Sequence, residues 1–281
     1  MSKNSITVFI SGSSGAGKNT IINKLVNEIE NSEFIVSNTT RAQRESDRKV
    51  GQYKFVTKEE FEKKIQSGDI LEFDVFNDNY YGLSKRDILD NVNTDKVLLK
   101  DLTVKGVLNC KELLKNVMPL CCVFVTERKR ILKQRLKSRG ETKKSIKKRL
   151  AVYNKEQEMI PYYDYKVVNS DLEKSVTEIK AIINSTKNQL PVLTNLSCQE
   201  INQKLIDKYV NKLENGKALK PIYVGVHNDR VYILDGVNRY LAYLKCNKQV
   251  CLHVVGKPYK INHKEDNITE WLKVVNNYKC I

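Results

Sequence analysis

The sequence predicts an α/β protein, a largely parallel sheet with helices on both faces, followed by a smaller α+β domain. Three observations carry this prediction. Apolar runs of strand length alternate with amphipathic runs of helix length as far as residue 187, the pattern of a parallel sheet with crossover helices. A glycine-rich turn joins the first strand to the first helix. The alternation then breaks at NQLPVLTNLS (188–197), where a proline and polar turn residues intervene.

The elements follow in order. Residues 5–11 form a strand, and a helix runs from Lys18 to Glu30. FIVSNTTR (34–41) reads as a short strand entering a polar loop, and residues 41–52 are charged and irregular. KEEFEKKIQSG (58–68) has helical periodicity and stops at Gly68, a C-terminal cap. DILEFDVFNDNYYG (69–82) reads as paired short strands. KVLLKDL (96–102) is a strand, VKGVLNCKELL (104–114) a helix, and LCCVFVT (120–126) a buried strand. From Arg128 to Glu158 the chain is helical and basic, interrupted near Gly140. A strand and loop at 165–171 and a helix at 172–187 close the first domain, residues 1–187. Past the linker, residues 198–281 carry a helix, the strands PIYVGV and RVYILDG, the helix NRYLAYLKC and the strand VCLHVV.

Composition bounds the function. With 281 residues and 41% hydrophobic content the chain can build one large core or two modest ones. No segment approaches the roughly 20 apolar residues of a membrane span, and MSKNSITVFISG reads as a strand and loop rather than a signal peptide. The seven cysteines form no C-x-x-C pair and histidines number three, so neither a zinc site nor a disulfide framework is expected, and a cytoplasmic setting fits. Cys121 and Cys122 are expected to be buried strand residues. The net charge is +16, of which residues 128–149 carry +11: twelve Lys or Arg against Glu141 alone. Such a block points to polyphosphate or nucleic-acid contact.

GSSGAGKNT (12–20) follows an apolar strand and opens a helix. Gly12, Gly15 and Gly17 let the backbone turn tightly and bring N–H groups onto phosphate oxygens, together with Ser13, Ser14 and Ala16. The helix start adds its positive dipole end, and Lys18 reaches the β- and γ-phosphates. Asn19 stands where the phosphate-loop pattern has Ser or Thr, with Thr20 next.

Six separated segments agree in order and spacing with one family. GSSGAGKNT, SNTTRAQR (37–44), GQYKF (51–55), DILEF (69–73) with NYYG (79–82), RLKSRGETKKSIKKRL (135–150) and VVNSDL (167–172) together resemble guanylate kinase. The resemblance implies an ATP- and Mg²⁺-dependent phosphotransferase acting on a nucleoside monophosphate, GMP or dGMP. It implies that Arg135, Arg139 and Arg149 clamp phosphates as planar bidentate donors, and that Asn169 lies in the loop packing on adenine. It places the acceptor phosphate on Arg41, Arg44, Tyr53 and Tyr81, and guanine on Glu72 with Ser37 near O6 and Leu83 at the base; it makes Asp101 a catalytic and acceptor-binding residue and puts Mg²⁺ near Asn19 and Asp101. Adenine lacks the pair of N–H donors that a carboxylate such as Glu72 reads. Three positions depart from the family: Asn19 for the hydroxyl at the metal, Thr103 for the second acid of D-x-D after Asp101, and Leu83 for a hydroxyl at the base. Lys100 sits where an apolar residue is usual. A modified purine therefore remains an acceptor to consider.

Residues 198–256 resemble the domain shared by ParB partition proteins and sulfiredoxins, through LKPIYVGV and VYILDGVNRYLAYLKC. The resemblance implies a phosphate site at Asp235, Gly236, Asn238 and Arg239, where a helix start meets a guanidinium. The cysteine of sulfiredoxin chemistry is replaced near Val237. Two alternatives stand beside the nucleotide kinase: a kinase whose acceptor is a nucleotide within DNA or RNA, held by the basic block, and a non-catalytic nucleotide or phospho-ligand binding module.

Overall fold

A computed structural model describes residues 5–43, 53–76, 78–189, 192–194, 201–227 and 229–255. The chain divides into two compact units interleaved in sequence, one comprising Met1–Ser11 and Lys18–Cys122, the other Gly12–Gly17 and Val123–Ile281.

The first unit holds β1 (Ile6–Gly12), α1 (Lys18–Glu28), β2 (Ser32–Phe34), β3 (Ser37–Thr39), β4 (Tyr53–Phe55), α2 (Lys58–Gln66), β5 (Ile70–Phe76), β6 (Asn79–Ser84), α3 (Arg86–Leu89), β7 (Val97–Asp101) and α4 (Val104–Leu114). β7 lies between β1 and β2 and is parallel to both, with Ile6 opposite Val97 and Phe34 opposite Leu99. Every residue of β1 is buried, as expected for a parallel strand covered on two faces. α1 buries Ile21, Ile22 and Leu25, one helical face. A second sheet runs β4-β3-β6-β5. It is backed by α2, whose Thr57–Glu60 capping box fixes its start and whose buried Phe61 stacks on Tyr80 at 5.0 Å.

FIVSNTTR is therefore two strands, not one. The chain leaves β2, which pairs with β7, and three residues later enters β3, which pairs with β4 and β6. Alternation of apolar and polar residues carries no mark of that change of partner.

The second unit holds β8 (Leu120–Thr126), α5 (Lys129–Ser138), α6 (Lys143–Ala151), α7 (Tyr153–Glu158), a 3₁₀ turn (Ile160–Tyr162), β9 (Tyr165–Val168), α8 (Leu172–Lys187), β10 (Leu193–Thr194), α9 (Gln203–Glu214), β11 (Ile222–His227), β12 (Arg230–Asp235), α10 (Val237–Lys245) and β13 (Leu252–Val254). Cys121 and Cys122 are fully buried in β8. The basic stretch breaks between α5 and α6 at Gly140, and Thr142 caps α6. β9 pairs in parallel with β8 on one side and β13 on the other. β11 follows β13 in parallel, β12 pairs antiparallel with β11, and β10 closes the order. The strands beyond the linker thus continue the sheet that contains β8 and β9. Among the described residues no helix is long and apolar enough to cross a membrane.

α8 carries a buried acid. Glu178 is 8% exposed, and burial pushes its carboxyl up to about 7, helped by Asp171 and opposed by Lys174. Below its unfolded value of 4.5 the group is neutral in both states. As pH rises from 4.5 to about 7 the unfolded chain ionises first, so stability falls across that window. Glu178→Gln is expected to raise the melting temperature at pH 8, by the equivalent of roughly 2–3 kcal/mol, and to change it little at pH 4. Thermal melts of both proteins at the two pH values check this.

Candidate active site

The phosphate loop is built within the second unit. β1 ends at Gly12, where φ is +131° and a Cβ would sit 1.9 Å from the Val125 carbonyl oxygen, so no side chain fits. The Ser13 N–H donates to the same carbonyl (3.1 Å), and the Ala16 N–H donates to the Ser13 carbonyl (3.1 Å), closing a tight turn. Ser13 Oγ lies 3.2 Å from Thr126 Oγ1, and Gln157 Nε2 donates to both hydroxyls at 3.1 Å. Asn169 Nδ2 donates to the Ala16 carbonyl at 2.7 Å.

Two of the three lid arginines reach this loop. Arg135 Nη2 donates to the Asn169 carbonyl at 2.8 Å. Arg149 Nη1 donates to Ser14 Oγ at 3.0 Å while its Nε pairs with Glu141 at 2.8 Å. Arg139 is exposed at the C-terminal end of α5. Asn169 Oδ1 is buried without a hydrogen-bond partner, which leaves an acceptor beside the loop. Gly15 and Gly17 complete the turn, and Lys18, Asn19 and Thr20 open α1, where the positive end of the helix dipole favours anions. Thr126 and Gln157 escaped sequence reasoning. Thr126 was signalled only as the polar end of an apolar run, and Gln157 lies in a charged stretch with no motif.

A second cluster is built within the first unit. Glu72 on β5 lies against the first turn of α4: a Cβ at Gly106 would stand 2.8 to 3.0 Å from its carboxylate atoms. Thr103 caps that helix, accepting from the Gly106 N–H at 3.1 Å, so the residue replacing an acid has a structural task. Burial pushes the Glu72 carboxyl above its ordinary value, with Asp74 adding to the shift and Lys105 and Lys100 opposing it. Leu83, opposite Glu72 in the β5–β6 register, is buried, and neighbouring Ser84 donates to Asp69 at 2.9 Å. Ser37 is buried on β3. The Arg41 guanidinium lies 5.4 Å from the centre of the Tyr53 ring, and Tyr53 meets Tyr81 edge-on at 5.9 Å. Arg44 lies outside the described residues.

Gly106 gives a direct test of this cluster. Because the clash falls on the flexible end of Glu72, Gly106→Ala is expected to fold normally. The carboxylate must move, however, so KM for a guanine acceptor should rise about tenfold with kcat nearly unchanged, in line with the loss of one charged hydrogen bond. Steady-state kinetics beside a thermal melt separate the two effects.

The two metal candidates differ. Asn19 is exposed on the first turn of α1, and its amide oxygen suits a hard cation that already carries phosphate and water ligands. Asp101 fits less well: its Oδ1 is held at 3.0 Å by Lys100 Nζ. Lys100 is 3% exposed and its ammonium also stands 4.6 Å from the Phe34 ring centre, so a cation already occupies one side of that carboxylate. Among the described residues no group of three or more His, Cys, Asp or Glu is arranged to hold a metal.

At the start of α10 the four candidate phosphate residues do come together, but they bond to one another and to the chain. Arg239 Nη2 pairs with Asp235 at 2.9 Å, and Arg239 Nη1 donates to the Pro221 carbonyl at 2.8 Å. Asn238 Oδ1 accepts from the Asn202 N–H at 2.8 Å. Arg239 is 8% exposed and its guanidinium covers Gly236.

A strand, a phosphate-binding turn and a helix, with two arginines converging on the turn, define a phosphate-loop phosphotransferase. The guanylate kinase family model matches residues 4–186. The guanylate kinase of Helicobacter pylori is 37% identical over 186 residues, 65% of this chain and 88% of that protein. The guanylate kinase of Clostridioides difficile is 33% identical over 205 residues, 72% of this chain and 98% of that one. Among solved structures, guanylate kinase from Anaplasma phagocytophilum shares 27% identity with a TM-score of 0.51, covering 67% of this chain and 87% of that chain. The chain belongs to the guanylate kinase family and is an ATP-dependent phosphotransferase with that family's mostly parallel α/β fold.

Proposed function

We propose that the protein converts GMP or dGMP to the diphosphate at the expense of ATP. The observation that carries this is the Glu72 carboxylate, held against the first turn of α4 in the space that Gly106 leaves free. A carboxylate there accepts from the N1 and N2 donors of guanine, and adenine offers no such pair. The helix dipole and the nearby Lys105 and Lys100 favour its ionised form against the cost of burial.

The remaining residues position and neutralise, which is what phosphoryl transfer requires. The amides of residues 12–17 and Lys18 hold the ATP phosphates. Arg135 and Arg149 spread the charge that builds on the transferring group, with Arg139 joining them on closure. Arg41, Arg44, Tyr53 and Tyr81 hold the acceptor phosphate, one of whose oxygens attacks the γ-phosphorus as ADP leaves. Asn19 would hold Mg²⁺ as an uncharged oxygen ligand beside the ATP phosphates, and the ion would supply countercharge to them. We further propose that residues 198–281 form an accessory unit that binds a nucleotide or phosphate, as their likeness to ParB and sulfiredoxin domains suggests, and that the protein works in the cytoplasm.

The test is release of ADP from ATP and Mg²⁺ with a panel of ribo- and deoxynucleoside monophosphates. Turnover confined to GMP and dGMP is expected. Equal turnover with AMP would overturn the role of Glu72. Turnover only with a purine modified at O6 or N7 would assign the apolar Leu83 as the selecting residue.

A further inference from the structure

The second unit contains a cavity of about 240 Å³. One wall is Gln157, Ile160 and Pro161, at the end of α7 and the 3₁₀ turn; the other includes Pro221, Tyr243 and His253. The second wall lies beyond residue 186, where the match to guanylate kinase ends, so that family's activity does not account for this cavity.

Its chemistry favours an anion. Among the described residues no Asp or Glu lines it, and Lys220 does. His253 stands beside Lys166 across the β13–β9 pairing and beside Tyr223 across the β13–β11 pairing. Burial, with Lys166 adding to it, brings the imidazole down to about 4, so it is neutral at physiological pH and both donates and accepts. Lys166 is a partly buried cation, and among the described residues no carboxylate is ion-paired with it. Asp164, the nearest acid in sequence, accepts from Gln249 Nε2 at 3.3 Å. A desolvated cation without a carboxylate gains from an incoming anion. The rest of the lining is mixed: two prolines, aliphatic side chains and the Tyr243 ring stand beside the amides of Gln157 and Gln249 and the Cys251 thiol. A water takes about 30 Å³ in the liquid, so a phosphate alone would leave most of the space empty.

The cavity also touches the loop machinery. The amide of Gln157, in its wall, is the group that donates to Ser13 Oγ and Thr126 Oγ1. On the other wall, Arg239 fixes the Pro221 carbonyl. The turn that resembles a phosphate site therefore shapes the cavity rather than facing a ligand itself.

We propose that this cavity is a second ligand site, for a phosphomonoester of nucleoside monophosphate size, and that its occupancy is transmitted to the phosphate loop through Gln157. This rests on the reading of the C-terminal residues as a phosphate-binding unit and places its site at Lys220, Tyr243 and His253, with Lys166 beside His253. The phosphate group meets Lys220 and His253, with Lys166 as countercharge next to His253, and the base and sugar meet the prolines and Tyr243.

The experiment uses the full chain with its ATP and acceptor sites saturated by adenosine and guanosine joined through five phosphates. AMP, GMP and inorganic phosphate are then titrated by calorimetry. One further molecule of monophosphate is expected to bind, at least about tenfold more weakly in Lys166→Met and not at all in Ile222→Trp, which fills the cavity. Kinase turnover of Lys166→Met should match the unmodified chain, which shows that it is folded. In a second titration without the five-phosphate compound, Gln157→Leu should abolish the change in affinity for a non-hydrolysable ATP that the monophosphate causes. Absence of any further binding overturns both the cavity and the accessory reading. Binding that survives in Lys166→Met and Ile222→Trp overturns the cavity and leaves the accessory reading standing. Binding of inorganic phosphate but of neither monophosphate overturns the nucleotide assignment.

Discussion

Lys18→Ala is expected to lower kcat by about 10²–10³-fold, the loss that follows removal of one preorganised group from developing charge. Lys18 opens α1 directly after the glycine turn, where its ammonium adds a full charge to amides that contribute only partial ones. Binding of ATP should weaken by less than kcat falls, because the loop amides and the arginines at Ser14 and Asn169 remain. The fold should not suffer, since the side chain is only half-buried. Rapid-quench measurement of the transfer step, beside direct titration of ATP, separates the two quantities. An equal loss in both would mean that Lys18 serves the ground state alone.

Glu72→Gln should cost about 1.5–3 kcal/mol of acceptor recognition, the range for hydrogen bonds to a charged group. That corresponds to roughly 10- to 150-fold in kcat/KM for GMP. Glutamine keeps the volume but turns an N–H donor toward a base edge that is itself all donors. The change should appear mainly in KM, and discrimination against AMP should shrink by a similar factor. Stability should move the other way. The folded carboxyl titrates above its ordinary value because burial disfavours its charge, so ionisation costs stability as pH rises through that range. The glutamine protein should therefore melt no lower than the parent at pH 8. The same shift means that GMP binding by the parent is lost on the acid side at a higher pH than for a solvated glutamate. A pH profile of KM checks that sign.

Much of this was legible in the sequence because its chemistry is local. A phosphate loop needs glycines, a lysine and a helix start within nine consecutive residues, so GSSGAGKNT can be read without knowing the fold. β8 could be read because LCCVFVT is buried on both faces, and Gly140 because a positive φ separates two basic helices. Glu72, Arg41, Tyr53 and Tyr81 came only from resemblance in order and spacing. What placed them beside Gly106 or beside one another is strand pairing, which no run of residues encodes. The same limit hid the split of FIVSNTTR, the pairing of β13 with β9, the Lys100–Asp101 contact and the bonds of Gln157 to Ser13 and Thr126. Each joins positions whose proximity is a result of tertiary structure. At Asp235–Arg239 the residues meet at the start of α10, but their polar atoms bond inward, which composition alone does not reveal.

The β9–β13 pairing has a consequence for handling the protein. A chain cut after α8 would leave the outer rim of β9 with its amides and carbonyls facing water and no neighbouring strand. Such a rim recruits other strands. The isolated first 187 residues should therefore be prone to self-association and precipitation at concentrations where the whole chain stays dispersed, even if their catalytic groups are intact.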